Sequence, residues 1–295
     1  TEVDMAEQWW RTADGHNDKH HRDRSRILRA LAKQAISSTV PFDVSEYSSI
    51  AVDALIASET LRDLRDDKVV FRHDVLREWA IANLINADIT TINDLSLDRP
   101  ASVALVRGIE LASRMALEHE DNSSRWEIYI NRLSEEVIHG SWRQATLLGI
   151  VRSEACPELL TRASDLLFAN HSSMLREIIR LMIAVEVKPA SQVFASAGFD
   201  PITIPVSLNS PSGPAWYRLI TWLLSLGQNL SAEAIPDIVE LFTTWSGGML
   251  GVDPLTPLLQ EKLYRWLIEI EAAGKDNRFT GKFDDEQFRA LKFDL

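Results

Sequence analysis

Apolar positions recur at helical intervals along most of this chain. Residues 25–37 place Ile27, Leu28, Leu31, Ala32 and Ala35 on one side of a helix. Thr39-Val40-Pro41 ends it, because proline lacks an N–H and restricts the residue before it. Ser45 is placed to cap a second helix carrying Ile50, Val52, Leu55 and Ile56. Ser58-Glu59-Thr60 then opens a short third helix over 61–64, and the polar Arg65-Asp66-Asp67-Lys68 is a turn. Val69-Val70-Phe71 reads as a strand running directly into an amphipathic helix. Leu76, Trp79, Ala80 and Leu84 form its apolar stripe, with His73 one turn earlier on the same side, at the strand-to-helix junction.

Asn93, Asp98 and Pro100 mark a boundary, after which the periodicity predicts helices near 101–119, 124–138, 142–153, 157–169 and 173–186. Several start about 16 residues apart, so a two-helix unit would repeat at roughly 32–35 residues, within the range of helical solenoids. The stretch 196–213, punctuated by Gly198, Pro201, Pro205, Pro211 and Gly213, breaks the rhythm and cannot be helical. Helices resume near 215–226, 232–245 and 255–272, with a weak last one over 284–292. The fold class predicted is mostly α. A polar N-terminal arm (1–24) precedes a winged-helix-like domain (25–92), followed by a HEAT-like α-solenoid (93–295) that lacks a polar closing helix and is expected to continue beyond Leu295.

Composition supports helix: 12 Gly and 11 Pro are few among 295 residues. Nine Trp predict much aromatic packing in the core. The net charge of −12 argues against a general nucleic-acid binder, although it leaves room for a local basic patch. One cysteine, Cys156, excludes an internal disulfide and a cysteine-rich zinc site, and the expected setting is cytoplasmic. No apolar run approaches the length of a membrane span, so no membrane partner is expected.

Candidate chemistry is sparse. Gly274-Lys275 and Gly281-Lys282 lack both the upstream glycine and the following hydroxyl residue of a phosphate-binding loop, and no nucleophile elbow occurs. Cys156 before Pro157 reads as a structural cysteine at a helix start. His16, His20 and His21 have the spacing of a metal pair, but Gly15, Asn17 and Asp18 disfavour a helix there and no third ligand is evident. His119, His139 and His171 sit near predicted helix ends. The chain is therefore read as non-catalytic, with no metal site and no cofactor of its own.

The pattern Phe71-x-His73-x-x-x-x-Glu78-Trp79-x-x-Ala82 resembles the winged-helix segment of STAND-type NTPases, the group that includes NACHT proteins. The resemblance covers about 60 residues, 26–85. It implies that the winged helix docks over ADP and Mg held by an NTPase domain of the same polypeptide, with His73 reaching the β-phosphate. It further implies that the repeats sense a protein ligand, in bacteria often for antiviral defence. The start at Thr1 then suggests a piece of a longer protein. Trp9, Trp10, Arg72 and Phe199 are the candidate interdomain or partner contacts. Two other readings compete: a free-standing HEAT-type interaction scaffold, and a DNA-binding winged-helix regulator. The latter is disfavoured by a candidate recognition helix over 59–66 that mixes acids with its two arginines.

Overall fold

The computed structural model describes residues 1–13, 20–37, 41–119, 123–135, 137–196, 198, 200, 209–226, 230–248 and 253–275. The protein is mostly helical and divides into two compact units, Thr1–Ile150 and Val151–Leu295. Phe199 and the predicted helix over 284–292 lie outside the described residues.

The first unit begins with α1 (Glu2–Thr12). Part of the expected polar arm is thus a helix. Asp4 is the reason: its backbone N–H donates to Thr1 Oγ1 at 3.1 Å while its carboxylate accepts from the Thr1 amine at 2.8 Å, a capping box. Val3 and Ala6 are buried beneath it. Next come α2 (His21–Ser37), β1 (Phe42–Asp43) and α3 (Ser49–Ala57). Ser48, not Ser45, stands at the N-cap of α3, and Ser45 instead donates its hydroxyl and amide hydrogens to Asp43.

The short helix predicted over 61–64 is a strand, β2 (Leu61–Asp63), paired antiparallel with β3 (Lys68–Phe71). Glu59 causes the change. It adopts a left-handed φ of 59° just past α3, which turns the chain out of helical conformation. Leu61 then sits opposite Phe71, buried, while Arg62 and Asp63 face solvent. β1 pairs with the other side of β3, giving a sheet order of β1-β3-β2.

From β3 the chain enters α4 (Asp74–Ala87), a 3-10 turn over Ile89–Asp94, and then α5 (Val103–Glu118), α6 (Ser123–Arg132) and α7 (Gly140–Arg152). A single apolar stripe does not describe α4. Leu76, Trp79 and Leu84 are only half-buried, whereas Ala80, Ile81, Ala82, Asn83 and Ile85 are buried around most of the helix. The helix is enclosed because α1, α2 and α5 all pack on it. A boundary near residue 92 would cut the extensive α4–α5 contact, and the compact unit accordingly runs on to Ile150.

Gly108 of α5 makes that contact possible, since a Cβ there would lie 2.5 Å from Ile81 Cγ2. Tyr129 hydroxyl donates to the Ile85 carbonyl at 3.3 Å, and Trp142 Nε1 donates to the Arg99 carbonyl at 2.9 Å. These bonds satisfy the polar ends of buried rings, and burial lifts the Tyr129 phenol to about 12.

The second unit contains α8 (Cys156–Arg162), α9 (Ser164–Val185), β4 (Val187–Pro189), α10 (Ala190–Ser196), β5 (Asn209–Pro211), α11 (Pro214–Ser225), a 3-10 turn (Ala232–Ala234), α12 (Ile235–Gly248) and α13 (Thr256–Lys275). The break predicted near residue 170 is a kink inside α9, where Asn170, His171 and Ser172 hold φ of 49°, 57° and 56°. Within the expected loop over 196–213, β5 pairs antiparallel with β4. The core is rich in aromatic pairs, including Trp216–Trp245 and Phe242–Trp266, each at 6.3 Å between centroids. Cys156 is buried at the start of α8 and its thiol is pushed up to about 12 by burial.

Candidate functional site

The β3–α4 junction is two residues long. The Arg72 amide donates to the Thr60 carbonyl at 3.0 Å, which closes the sheet, and His73 is extended at φ −131°, ψ 146° as the N-cap of α4. Its carbonyl accepts from the Leu76 amide at 3.1 Å, but its imidazole makes no capping bond to the helix. Both Arg72 and His73 are exposed, and among the described residues neither side chain has a hydrogen-bond or ion-pair partner. An exposed imidazole at a helix N-terminus can donate to an anion that the positive end of the helix dipole also favours.

Beside the junction lies a cavity of about 450 Å³. Its walls are the end of α2 (Ala35, Ile36, Ser37), the first turns of α4 (Asp74, Arg77, Glu78) and the start of α5 (Ser102 to Leu105). Ser102, the N-cap of α5, also makes no side-chain capping bond, so two helix N-termini open on one space. Arg77 reaches across to the Ala35 carbonyl at 3.5 Å, and its Nε is buried without a partner among the described residues. Burial raises the Glu78 carboxyl above its ordinary 4.5, opposed by Arg107. The cavity itself offers a donor from Arg77, balanced by Asp74 and Glu78, while Arg72 and His73 precede its Asp74 wall in the chain and are not among its walls.

Trp9 and Trp10 are on α1. Trp9 packs 6.0 Å from Trp79 and lines a second cavity, about 510 Å³, with Leu76, Ser58, Glu59 and Thr60. Trp10 is half-buried, 5.8 Å from Trp9, and faces Arg29 and Lys33 across a groove. The four candidates within the described residues therefore fall into two sets: Arg72 with His73 at the junction, and Trp9 with Trp10 on α1.

Sequence reasoning missed the charge network that fixes α1. Glu2 accepts from Arg114 at 2.7 Å and from Arg107 at 3.5 Å. Both carboxylate oxygens of Glu110, 1% exposed, accept from Arg107 Nη1 at 2.7 Å. Burial pulls the Arg107 guanidinium down, and Glu110, Glu2 and Glu78 more than offset it, so it is held above its ordinary value. Glu7 lies 2.7 Å from His119 Nε2, and Asn83 Nδ2 donates to the carbonyls of Ala6 at 3.3 Å and Trp79 at 2.9 Å. In the second unit Asp237 is clasped by Arg176 and Arg180, each Nε at 2.7 Å. The one sequence signal for that clasp was the spacing of the two arginines on one helix face.

Among the described residues no group of histidine, cysteine and acid side chains could hold a metal, and no helix is long and apolar enough to cross a membrane. No protein-family model matches the chain, and no curated protein matches it.

Proposed function

We propose that this chain is the regulatory and sensing part of a STAND-like NTPase, in which the β3–α4 junction closes over a nucleotide held by another domain of the same polypeptide. The observation that carries the reading is the exposed Arg72-His73 pair at the uncapped N-terminus of α4, beside a cavity onto which the α5 N-terminus also opens. An imidazole and a guanidinium are exposed there, next to the positive end of a helix dipole. Neither side chain has a hydrogen-bond or ion-pair partner among the first unit's described residues, and Asp74 is the acid in the first turn of the helix. The order α2-β1-α3-β2-β3-α4, with sheet order β1-β3-β2, is compatible with a winged-helix-like element whose third helix is replaced by strand β2. The helices of the second unit would then serve as the sensor arm.

The imidazole's part is to donate a hydrogen bond to a phosphate oxygen, strengthened by charge, that exists only while the domains are closed. ATP or ADP with Mg belongs to the proposed partner domain, and its chemistry is phosphoryl transfer there. Purification of the full-length gene product tests the reading. His73→Ala should lose co-purifying ADP and raise basal activity, and unchanged ADP retention would refute the role.

A second reading, a free-standing interaction scaffold, is favoured by the outer face of α13. Leu258, Tyr264 and Ile268 stand 50%, 60% and 48% exposed there, around the exposed Glu261–Arg265 ion pair. A scaffold would bind its protein partner through that face, and His73→Ala would not alter binding.

A further inference from the structure

The exposed face of α2 is strongly basic in a protein of net charge −12. Arg22, Arg26, Arg29 and Lys33 are all exposed, and the only acid on α2 is Asp23. At about 100° and 1.5 Å per residue these four cations fall within roughly 60° of one another, at intervals of about 6, 4.5 and 6 Å along the axis. Among the described residues none of Arg22, Arg26 and Arg29 has an ion-pair partner. Asp23 points away from the row and lies 3.9 Å from His20.

The row is also a groove. A cavity of about 340 Å³ is lined by His21, Arg22, Ser25, Arg26 and Arg29. It adjoins, through Arg29, one of about 450 Å³ whose walls include Trp10, Lys33, Leu84 and Ala87. Asp88 is the acid at that second cavity, and its carboxylate is already engaged by the Thr90 hydroxyl at 2.7 Å and amide at 3.0 Å.

We infer that this groove binds single-stranded nucleic acid, with Arg22, Arg26, Arg29 and Lys33 on successive phosphates and the Trp10 ring against a base. A cationic track with an aromatic platform beside it is the arrangement that holds single strands without reading sequence. The spacing of the cations is comparable with that of phosphates along an extended strand. At physiological salt, charges more than about 8 Å away are largely screened, so the acidity of the rest of the surface does not cancel the row. An acidic membrane fits less well. The apolar residues of α2 (Ile27, Leu28, Leu31 and Ala32) are all buried in the core, leaving nothing to insert. The groove shares no residue with the junction at His73, so the two assignments stand independently.

Fluorescence anisotropy of the whole 295-residue chain with a 5′-labelled 20-nucleotide oligothymidylate tests it. The protein should bind with a Kd on the order of 1–10 µM at 100 mM NaCl, weakening about 20-fold by 300 mM as four phosphate contacts release counterions. Arg22→Gln/Arg26→Gln/Arg29→Gln, which alters only exposed side chains, should bind far more weakly and lose only about 2-fold over the same range. Trp10→Ala should bind about 5- to 100-fold more weakly with the salt slope kept. Absence of saturable binding by the wild type at 100 mM NaCl would overturn the inference, as would a wild-type salt slope in the triple variant. Equal competition by poly-L-glutamate, with Trp10→Ala affecting neither ligand, would also overturn it and make the groove an acidic-protein site.

Discussion

Replacing Gly108 by alanine drives a methyl group into the place where α5 crosses α4. The new carbon would stand 2.5 Å from Ile81 Cγ2 and 3.0 Å from Ile81 Cβ. Carbon atoms rest at about 3.5–4.0 Å, so the helices must separate by roughly 1 Å or Ile81 must leave its rotamer. Ile81 is 0% exposed, and a β-branched methyl so near the backbone has little room to swing. Overpacking of this kind costs about 1–3 kcal/mol, while exchanging a helical glycine for alanine returns about 0.5–1 kcal/mol. The net is a loss centred on about 1 kcal/mol and at most about 2.5, lowering the melting temperature of the first unit by about 2–4 °C per kcal/mol. Thermal unfolding followed by circular dichroism reads it. Gly140→Ala is the control, because nothing lies within 4 Å of a Cβ there. In the double variant Gly108→Ala/Ile81→Ala the two losses should fail to add by about 1 kcal/mol or more, since each relieves the other. A Gly108→Ala protein as stable as the wild type, or additive losses in the double variant, would refute the close α4–α5 crossing that positions His73.

Three further outcomes follow from the same reasoning. Glu78 has a raised folded-state pKa, so its contribution to stability is complete below its unfolded value of 4.5 and is lost as pH rises through the folded value. Glu78→Gln should therefore be more stable than the wild type in urea titrations at pH 7, with the advantage gone near pH 4. Asp253 shows the opposite sign. Burial raises its pKa, but bonds from Thr256, Trp245 and the Leu255 and Thr256 amides outweigh it, leaving the value lowered. Its stabilisation is present above 3.8 and lost as pH falls through the folded value. Asp253→Asn should cost about 1–3 kcal/mol at pH 7, and progressively less in acid, by chemical denaturation. Asn170→Ala should destabilise the second unit by about 1 kcal/mol, because asparagine tolerates the left-handed φ of 49° and alanine does not, and an unchanged melting temperature would contradict that reading of the α9 kink.

Helices were legible where the apolar period was carried by several large residues, but their ends were not. The helix predicted over 157–169 is divided between α8 and α9 at Ala163, and the one predicted over 124–138 ends at Arg132. The α2 face of Ile27, Leu28, Leu31, Ala32 and Ala35 is buried as the spacing predicts. Periodicity failed where too few residues carry it. The four residues 61–64 could be read either way, and the left-handed Glu59 that decides for strand leaves no mark in composition. The role of α4 was misjudged for a related reason. Small residues such as Ala80 and Ala82 look neutral in a stripe, yet they let three helices approach one axis. Counting charge along 1–24 hid α1, because its acids Glu2 and Glu7 find partners at Arg107, Arg114 and His119, more than 100 positions away. His73 could be found in sequence from its motif, but its exposure and its uncapped helix end could not. The basic row of α2 could be seen as spacing alone, although the groove beside Trp10 needed the fold.

The most direct test of the account is the nucleotide content of the full-length gene product, measured by chromatography of the acid-released nucleotides. Wild-type protein should carry close to one ADP per chain, His73→Ala much less, and Arg22→Gln/Arg26→Gln/Arg29→Gln as much as the wild type. Equal ADP in wild type and His73→Ala, or a gene product that holds no nucleotide, would contradict the proposal that the β3–α4 junction is an interdomain latch.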